Sequence, residues 1–216
     1  MKYRSTEETT NKILKVLAQN KEYAQYDLPD AVGKDYRTVL RHLKKLEKDG
    51  LVKVDRLEPA QKGGKEKKIY TLTLLGFIAA LATCKIEPAN PEIDVLIAKF
   101  SDLHYIFANW QRMLSQLPRF DVYAALDVTI SNFDALRRFR PQDLRENLDK
   151  QFTLAFFNLT LTANEKDAKI LGTEKWLSYI KSDQPLRELY LQLLTVEKDN
   201  LKRRLDFFDS VLKKLR

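Results

Sequence analysis

The stretch Asp35-Tyr-Arg-Thr-Val-Leu-Arg-His-Leu-Lys-Lys-Leu-Glu-Lys-Asp-Gly50 decides how this chain is read. At 100° per residue, Val39, Leu43 and Leu46 fall on one stripe about 60° wide, and Arg37, Arg41, Lys44 and Lys48 fall on an equally narrow stripe opposite. The spacing predicts a helix from Tyr36 to Asp49. Asp35 is placed to cap it by accepting the backbone N–H of Thr38. A solvated helix usually mixes charge signs on its outer face, but this stripe holds no carboxylate, and Glu47 and Asp49 come only near its end.

Upstream, Ile13, Leu14, Val16 and Leu17 recur at helical spacing and predict an amphipathic helix over residues 7–19. Leu28, Ala31 and Val32 mark a short helix from about Asp27, with Pro29 tolerated in its first turn. Gly33 can take the left-handed conformation that ends it. Downstream, residues 51–57 alternate apolar and charged side chains as a strand, and residues 69–72 repeat the pattern. Between them lies the loop Glu58-Pro-Ala-Gln-Lys-Gly-Gly-Lys-Glu-Lys-Lys68. Gly63-Gly64 suits a tight hairpin tip, and Lys62, Lys65, Lys67 and Lys68 make it cationic. Thr73 then caps a helix from Leu74 to about Thr83.

Three helices, a two-stranded hairpin with a basic tip and a closing helix form a winged helix-turn-helix pattern. The run Thr38-Val-Leu-Arg-His-Leu-Lys-Lys-Leu-Glu-Lys-Asp-Gly-Leu-Val52 resembles the recognition helix and first wing strand of ArsR- and PadR-type transcriptional regulators of prokaryotes and archaea. Lys68-Ile-Tyr-Thr-Leu-Thr73, followed by Gly76, is similar to the tyrosine, Leu-Thr and glycine signature leaving the wing in PadR- and MarR-type proteins. The resemblance covers about residues 7–85. It departs at Lys34, where an apolar turn residue is usual, and at Leu40, where ArsR-type proteins generally carry a small polar residue.

This reading makes double-stranded DNA the expected partner and residues 35–49 the recognition helix in the major groove. Arginine can bond bidentately to guanine, so Arg37 and Arg41 are the candidates for base edges. Tyr36, Thr38 and Leu40 sit where a helix start meets bases or phosphates. Lys44, Lys45 and Lys48 are expected on phosphates, with the wing at 57–68 carrying Lys62, Lys65, Lys67 and Lys68 to the backbone or minor groove. His42 is expected to pack or touch a phosphate. The alternative is a charged solvent face on a non-enzymatic winged-helix module that docks onto protein within a larger nucleic-acid assembly.

The rest of the chain supports a two-part reading. Of 216 residues, 44% are hydrophobic and 31% charged, and the net charge is +8. Residues 1–85 hold 18 Lys plus Arg against 11 Asp plus Glu, a net +7, while residues 86–216 hold 20 against 19, a net +1. Ten of the eleven Phe lie beyond residue 86, and Glu87-Pro-Ala-Asn-Pro91 supplies a proline-marked junction there. The expected domains are therefore 1–86, which binds DNA, and 87–216, which is helical and serves dimerisation and possible effector binding.

The class is mainly α. In the second part, a helix is expected from Asn90-Pro91 to Leu117, another from Asp121 to about Phe139, and a third from Pro141. A capping box at Thr162 and Glu165 is expected to open a fourth, and a last helix runs from Asp183–Pro185 to the C-terminus. In that last helix Leu191, Leu194, Leu201, Leu205, Phe208, Leu212 and Leu215 follow alternating three- and four-residue steps, interrupted by Lys198. This seam is open between packing within the chain and a homodimer contact. Tyr105, Phe107, Trp110, Trp176, Phe152, Phe156 and Phe157 suit a helical core better than a small-molecule effector pocket. His104 reads as an ordinary polar or core histidine.

Enzymatic chemistry has little raw material. With two His, one Cys and six Gly, the chain lacks the residues of hydrolytic triads, metal cages and glycine-rich phosphate loops. No cofactor is implied. Cys84 reads as a buried small hydrophobe. The longest apolar stretch, Leu72 to Cys84, is thirteen residues, too short to span a bilayer. The first ten residues carry no apolar run of a secretory signal, so a cytoplasmic location is expected.

Overall fold

In the computed structural model the described residues are 2–59, 66–88, 90–117, 119–131, 136, 138, 141–162, 174–181 and 184–215. The chain opens with α1 (Lys2–Asn20), β1 (Glu22–Ala24), α2 (Leu28–Val32) and α3 (Tyr36–Lys48). It continues with β2 (Val52–Glu58), β3 (Lys67–Leu72) and α4 (Leu74–Leu81). Helix α1 starts five residues before the periodicity does.

The two expected wing strands pair antiparallel, Val52 opposite Leu72 and Glu58 opposite Lys67, with an extra residue at Asp55 that shifts the register. A third strand joins them. β1 pairs antiparallel with β3, Tyr23 opposite Tyr70, so the sheet order is β1-β3-β2. Three residues are too few to show alternation, which is why β1 leaves no mark in the sequence pattern. Lys21 makes the turn into it at φ +66, a conformation uncommon for a residue with a side chain.

The head core gathers Ile13, Leu14 and Leu17 of α1, Val39, Leu43 and Leu46 of α3, Val52 and Leu72 of the sheet, and Phe77, Ile78 and Leu81 of α4, all buried. Each such side chain contributes roughly 1.5–3 kcal/mol. Helix α4 is apolar on nearly every side, and a helix of that kind needs cover on every side. Its second face supplies the continuation: the Phe77 ring stacks on Phe100 at 4.4 Å and meets Phe107 edge-on at 5.1 Å. The buried cluster therefore runs on from Ile13 to Tyr190.

Beyond the junction lie α5 (Pro91–Lys99), α6 (Tyr105–Ala108), α7 (Trp110–Gln116) and α8 (Arg119–Ser131), then α9 (Pro141–Thr162), α10 (Glu174–Lys181) and α11 (Gln184–Leu215). Asn90 caps α5 by accepting the Glu92 N–H at 3.0 Å. The single helix expected over 90–117 is a correction, because the chain breaks after Lys99 and again at Asn109. No Gly or Pro marks the breaks. The first is made by His104, whose Nδ1 accepts the Ile106 N–H at 3.2 Å while Nε2 bonds the Arg145 carbonyl at 3.2 Å. The turn lets Phe100 and Phe107 reach Phe77 together.

A second polar anchor is Asp94. Its Oδ1 accepts from Trp110 Nε1 at 2.7 Å and from the Tyr123 hydroxyl at 2.5 Å, tying α5 to α7 and α8. Burial and the bond to Asp94 push the Tyr123 hydroxyl up to about 12. Helix α8 begins two residues before Asp121, and α9 runs through Thr162. The capping box expected there has Glu165 outside the described residues. Phe107, Trp110, Phe152 and Phe156 are buried core, and Tyr105 packs partly buried against it. The side chains of Phe157 and Trp176 lie outside the described residues. No described helix is long and apolar enough to cross a membrane.

Candidate nucleic-acid interface

Local chemistry fixes how α3 is presented. Gly33 adopts φ +68 and its N–H bonds the Pro29 carbonyl at 2.9 Å, closing α2 in a turn that a β-carbon would strain. Two residues on, Asp35 Oδ1 accepts the Thr38 N–H at 2.9 Å and starts α3. The Thr38 hydroxyl and N–H hold the Asp35 carboxyl below the usual carboxylate range.

Helix α3 buries Val39, His42, Leu43 and Leu46, so its opposite stripe is turned outward. Arg37, Arg41, Lys44, Lys45 and Lys48 are all exposed, and none makes an ion pair among the described residues. Thr38 and Leu40 are partly exposed at the margins of that stripe. Lys45 and Lys48 occupy the last turn, where positive charge also suits the helix dipole.

Some other cations of the first 85 residues are matched. Arg56 on the edge strand β2 reaches across β3 to Glu22 on β1, with nitrogen–oxygen distances of 2.5 and 2.9 Å, and also bonds Glu58 at 3.0 Å. Lys67 pairs with Asp27 at 3.0 Å and is partly buried. Lys68 is exposed, while Lys62 and Lys65 lie outside the described residues. Arg56 and Lys67 thus brace the fold, in contrast to the five cations of α3.

Tyr36 is committed more tightly than its place in the sequence suggests. Its ring stacks on Tyr26 at 5.7 Å, nearly parallel, and its hydroxyl accepts from Gln25 Nε2 at 2.5 Å. Both rings keep a face open, Tyr26 at 44% and Tyr36 at 37% exposure, so they form an aromatic ledge beside the first turn of α3. Tyr26 and Gln25 belong to no periodic segment, and only tertiary contact reveals them.

A basic helix stripe, backed by an apolar core and flanked by a hairpin, is a surface that suits a polyanion. Residues 6–53 match the winged helix-turn-helix DNA-binding family. The match runs from within α1 to the start of β2, and so includes the helix-turn-helix and all five exposed cations of α3. Comparison with curated proteins finds no match. The winged helix-turn-helix supports a DNA-binding regulator with double-stranded DNA as its partner. Among the described residues no group of three or more His, Cys, Asp or Glu is placed to hold a metal ion.

His42 lies on the buried side of α3, where its Nδ1 shares a hydrogen bond with Thr10 Oγ1 of α1 at 3.1 Å. It packs within the fold. Burial first, then the charges of Arg41 and Lys45, pull its pKa below the ordinary 6.5. The folded winged helix thus prefers the neutral ring, while the unfolded chain binds a proton below about 6.5. Stability is fully present above that pH and falls as pH drops through 6.5 toward the folded value. A urea titration series from pH 8 to 5 should show this loss, and His42→Gln should flatten it.

The second candidate surface is on α11. Tyr190 is buried and Leu193 partly buried where the helix packs on α9 and α10. The expected seam is not turned that way. Leu191, Leu194, Leu201, Leu205, Phe208 and Leu212 are each more than 40% exposed. The side chain of Leu215 lies outside the described residues. From Leu201 to Lys213 every side chain is exposed except the partly covered Val211.

Cys84 is half-buried in the turn that follows α4, its Sγ 3.5 Å from the Ala80 carbonyl, and burial raises its thiol pKa. That is the opposite of an activated thiolate.

Proposed function

We propose that the protein is a homodimeric, sequence-specific transcriptional regulator of non-enzymatic type. Residues 1–86 read duplex DNA, and residues 87–216 supply dimerisation and the place where a small-molecule effector would act. The observation that carries this reading is the row of cations on α3 that no carboxylate compensates, within a segment that matches a DNA-binding family. Arg37 and Arg41 are assigned to base edges in the major groove. Lys44, Lys45 and Lys48 are assigned to phosphates, and Lys68 with Lys62 and Lys65 of the wing to the backbone or minor groove. Lys67 contributes less, because Asp27 already neutralises it.

Tyr36 and Tyr26 supply a ledge that can lie against sugar and phosphate, and Thr38 and Leu40 border the groove-facing stripe. The seam from Leu191 to Leu215 is assigned to a second copy, since two linked heads occupy two half-sites about one helical turn apart and bind more tightly than one.

Titrating a random-sequence duplex against the full chain across salt concentrations tests the reading. The logarithm of affinity should fall linearly with the logarithm of salt, by about 0.9 per phosphate neutralised. Three to five phosphate contacts give a slope between about −3 and −4.5. An absence of salt-dependent duplex binding at low ionic strength would leave the α3 stripe as a protein-docking face and sink the assignment.

A further inference from the structure

The exposed seam of α11 is flanked by side chains of both charge signs. In heptad terms Leu191, Lys198, Leu205 and Leu212 hold the a positions, and Leu194, Leu201, Phe208 and Leu215 hold the d positions. The helix spans 32 residues, about 48 Å, and among the described residues its own chain buries Tyr190 and partly covers Leu193 on the neighbouring face. Flanking the seam, Glu197 and Arg204 stand at g, and Lys202 and Asp209 stand at e.

We propose that two α11 helices pair parallel and in register as a two-stranded coil, with Lys198 fixing the register. The proposal rests on the dimer reading above and adds its geometry. In a parallel pair each g residue lies beside the e residue five positions on in the other strand. Glu197 therefore meets Lys202 of the second copy, and Arg204 meets Asp209 of the second copy. Both pairs are attractive, and both occur twice by symmetry.

The antiparallel pair that overlaps the whole seam is centred at Arg203. It sets the two Lys202 side chains close together beside the axis, and the two Arg204 side chains likewise. Charge therefore selects the parallel arrangement. Lys198 is the one polar residue in the seam, and a single Lys at an a position sets register and strand number at some cost in affinity. Its long stem lets the ammonium lean out of the seam toward Glu197 of the second copy.

The arrangement has a covalent readout. In a Cys84→Ser background, Leu194→Cys, Leu201→Cys and Phe208→Cys are made singly in the full chain and mildly oxidised. In a parallel pair every d position faces its own copy within reach of a disulfide, so all three variants should cross-link with themselves. Light scattering of the unmodified chain at micromolar concentration gives the mass independently.

A dimer mass with self-linking at fewer than three positions overturns the parallel arrangement and leaves the dimer standing. A monomer mass overturns both. A charge exchange gives a second test without thiols. Glu197→Lys should weaken the dimer by about tenfold through its two symmetric pairs, and Glu197→Lys with Lys202→Glu should restore it. Failure of the double exchange to recover the dimer counts against the assigned pairs.

Discussion

Replacing Gly76 by alanine is expected to destabilise the protein by more than about 3 kcal/mol, even though alanine is the better helix former by about 1 kcal/mol. A β-carbon at this position would lie 1.7 Å from the Leu51 carbonyl oxygen and 2.7 Å from its carbon. Both atoms are backbone and cannot rotate aside. The same oxygen accepts the Thr73 N–H at 3.0 Å, and the Thr73 hydroxyl reaches the Gly50 carbonyl at 2.6 Å while capping Gly76 N–H at 3.1 Å. To admit a methyl group, α4 would have to withdraw from the start of the wing and break that cluster. Thermal melts should show a fall of roughly 10 °C. Gly50→Ala is the control, because Gly50 has φ +71 but open space around it, and should cost only about 1 kcal/mol of backbone strain. Equal losses for the two variants would show that α4 can shift without cost.

Replacing Arg37 and Arg41 together by alanine is expected to collapse discrimination between the preferred site and random duplex by on the order of a hundredfold, at one to three kcal/mol for each bidentate contact, roughly. Non-specific affinity should change much less. Lys44→Ala, Lys45→Ala and Lys48→Ala should instead weaken all duplexes alike and flatten the salt slope by about 1 each. The preferred site is first selected from a random pool, and the variants are then titrated against selected and scrambled duplexes at one fixed salt concentration. A uniform loss from the arginine pair would move them to the phosphates. Neither arginine touches the core, so stability should be unchanged.

Much of the head was legible because its signals are local. The period of α3, the Asp35 and Thr73 caps and the Gly33 stop each act within four residues of themselves. What escaped depends on partners far along the chain. β1 is recognisable only by its pairing with β3, and the break at His104 depends on a carbonyl 41 residues away. Lys67 looked like a free wing cation until Asp27, 40 residues earlier, was found beside it. Tyr36 looked free to probe a groove, but Gln25 and Tyr26 hold its hydroxyl and ring. The α11 seam was visible as a period. That it faces outward depends on where α9 and α10 lie.

The stacking of Phe77 on Phe100 and Phe107 changes what the proline-marked junction at 87–91 can do. Composition there marks a domain boundary. Yet the Phe77 ring that precedes it is wholly buried and packs on two rings that follow it, and Lys21 and Lys99 fasten the same border through Asp102 and the Gln19 carbonyl. Helix α3 is thus carried on a unit packed firmly against the helices that follow it. Any rearrangement among α5 to α7 that moves Phe100 reaches α4, and through α4 the core on which α3 rests.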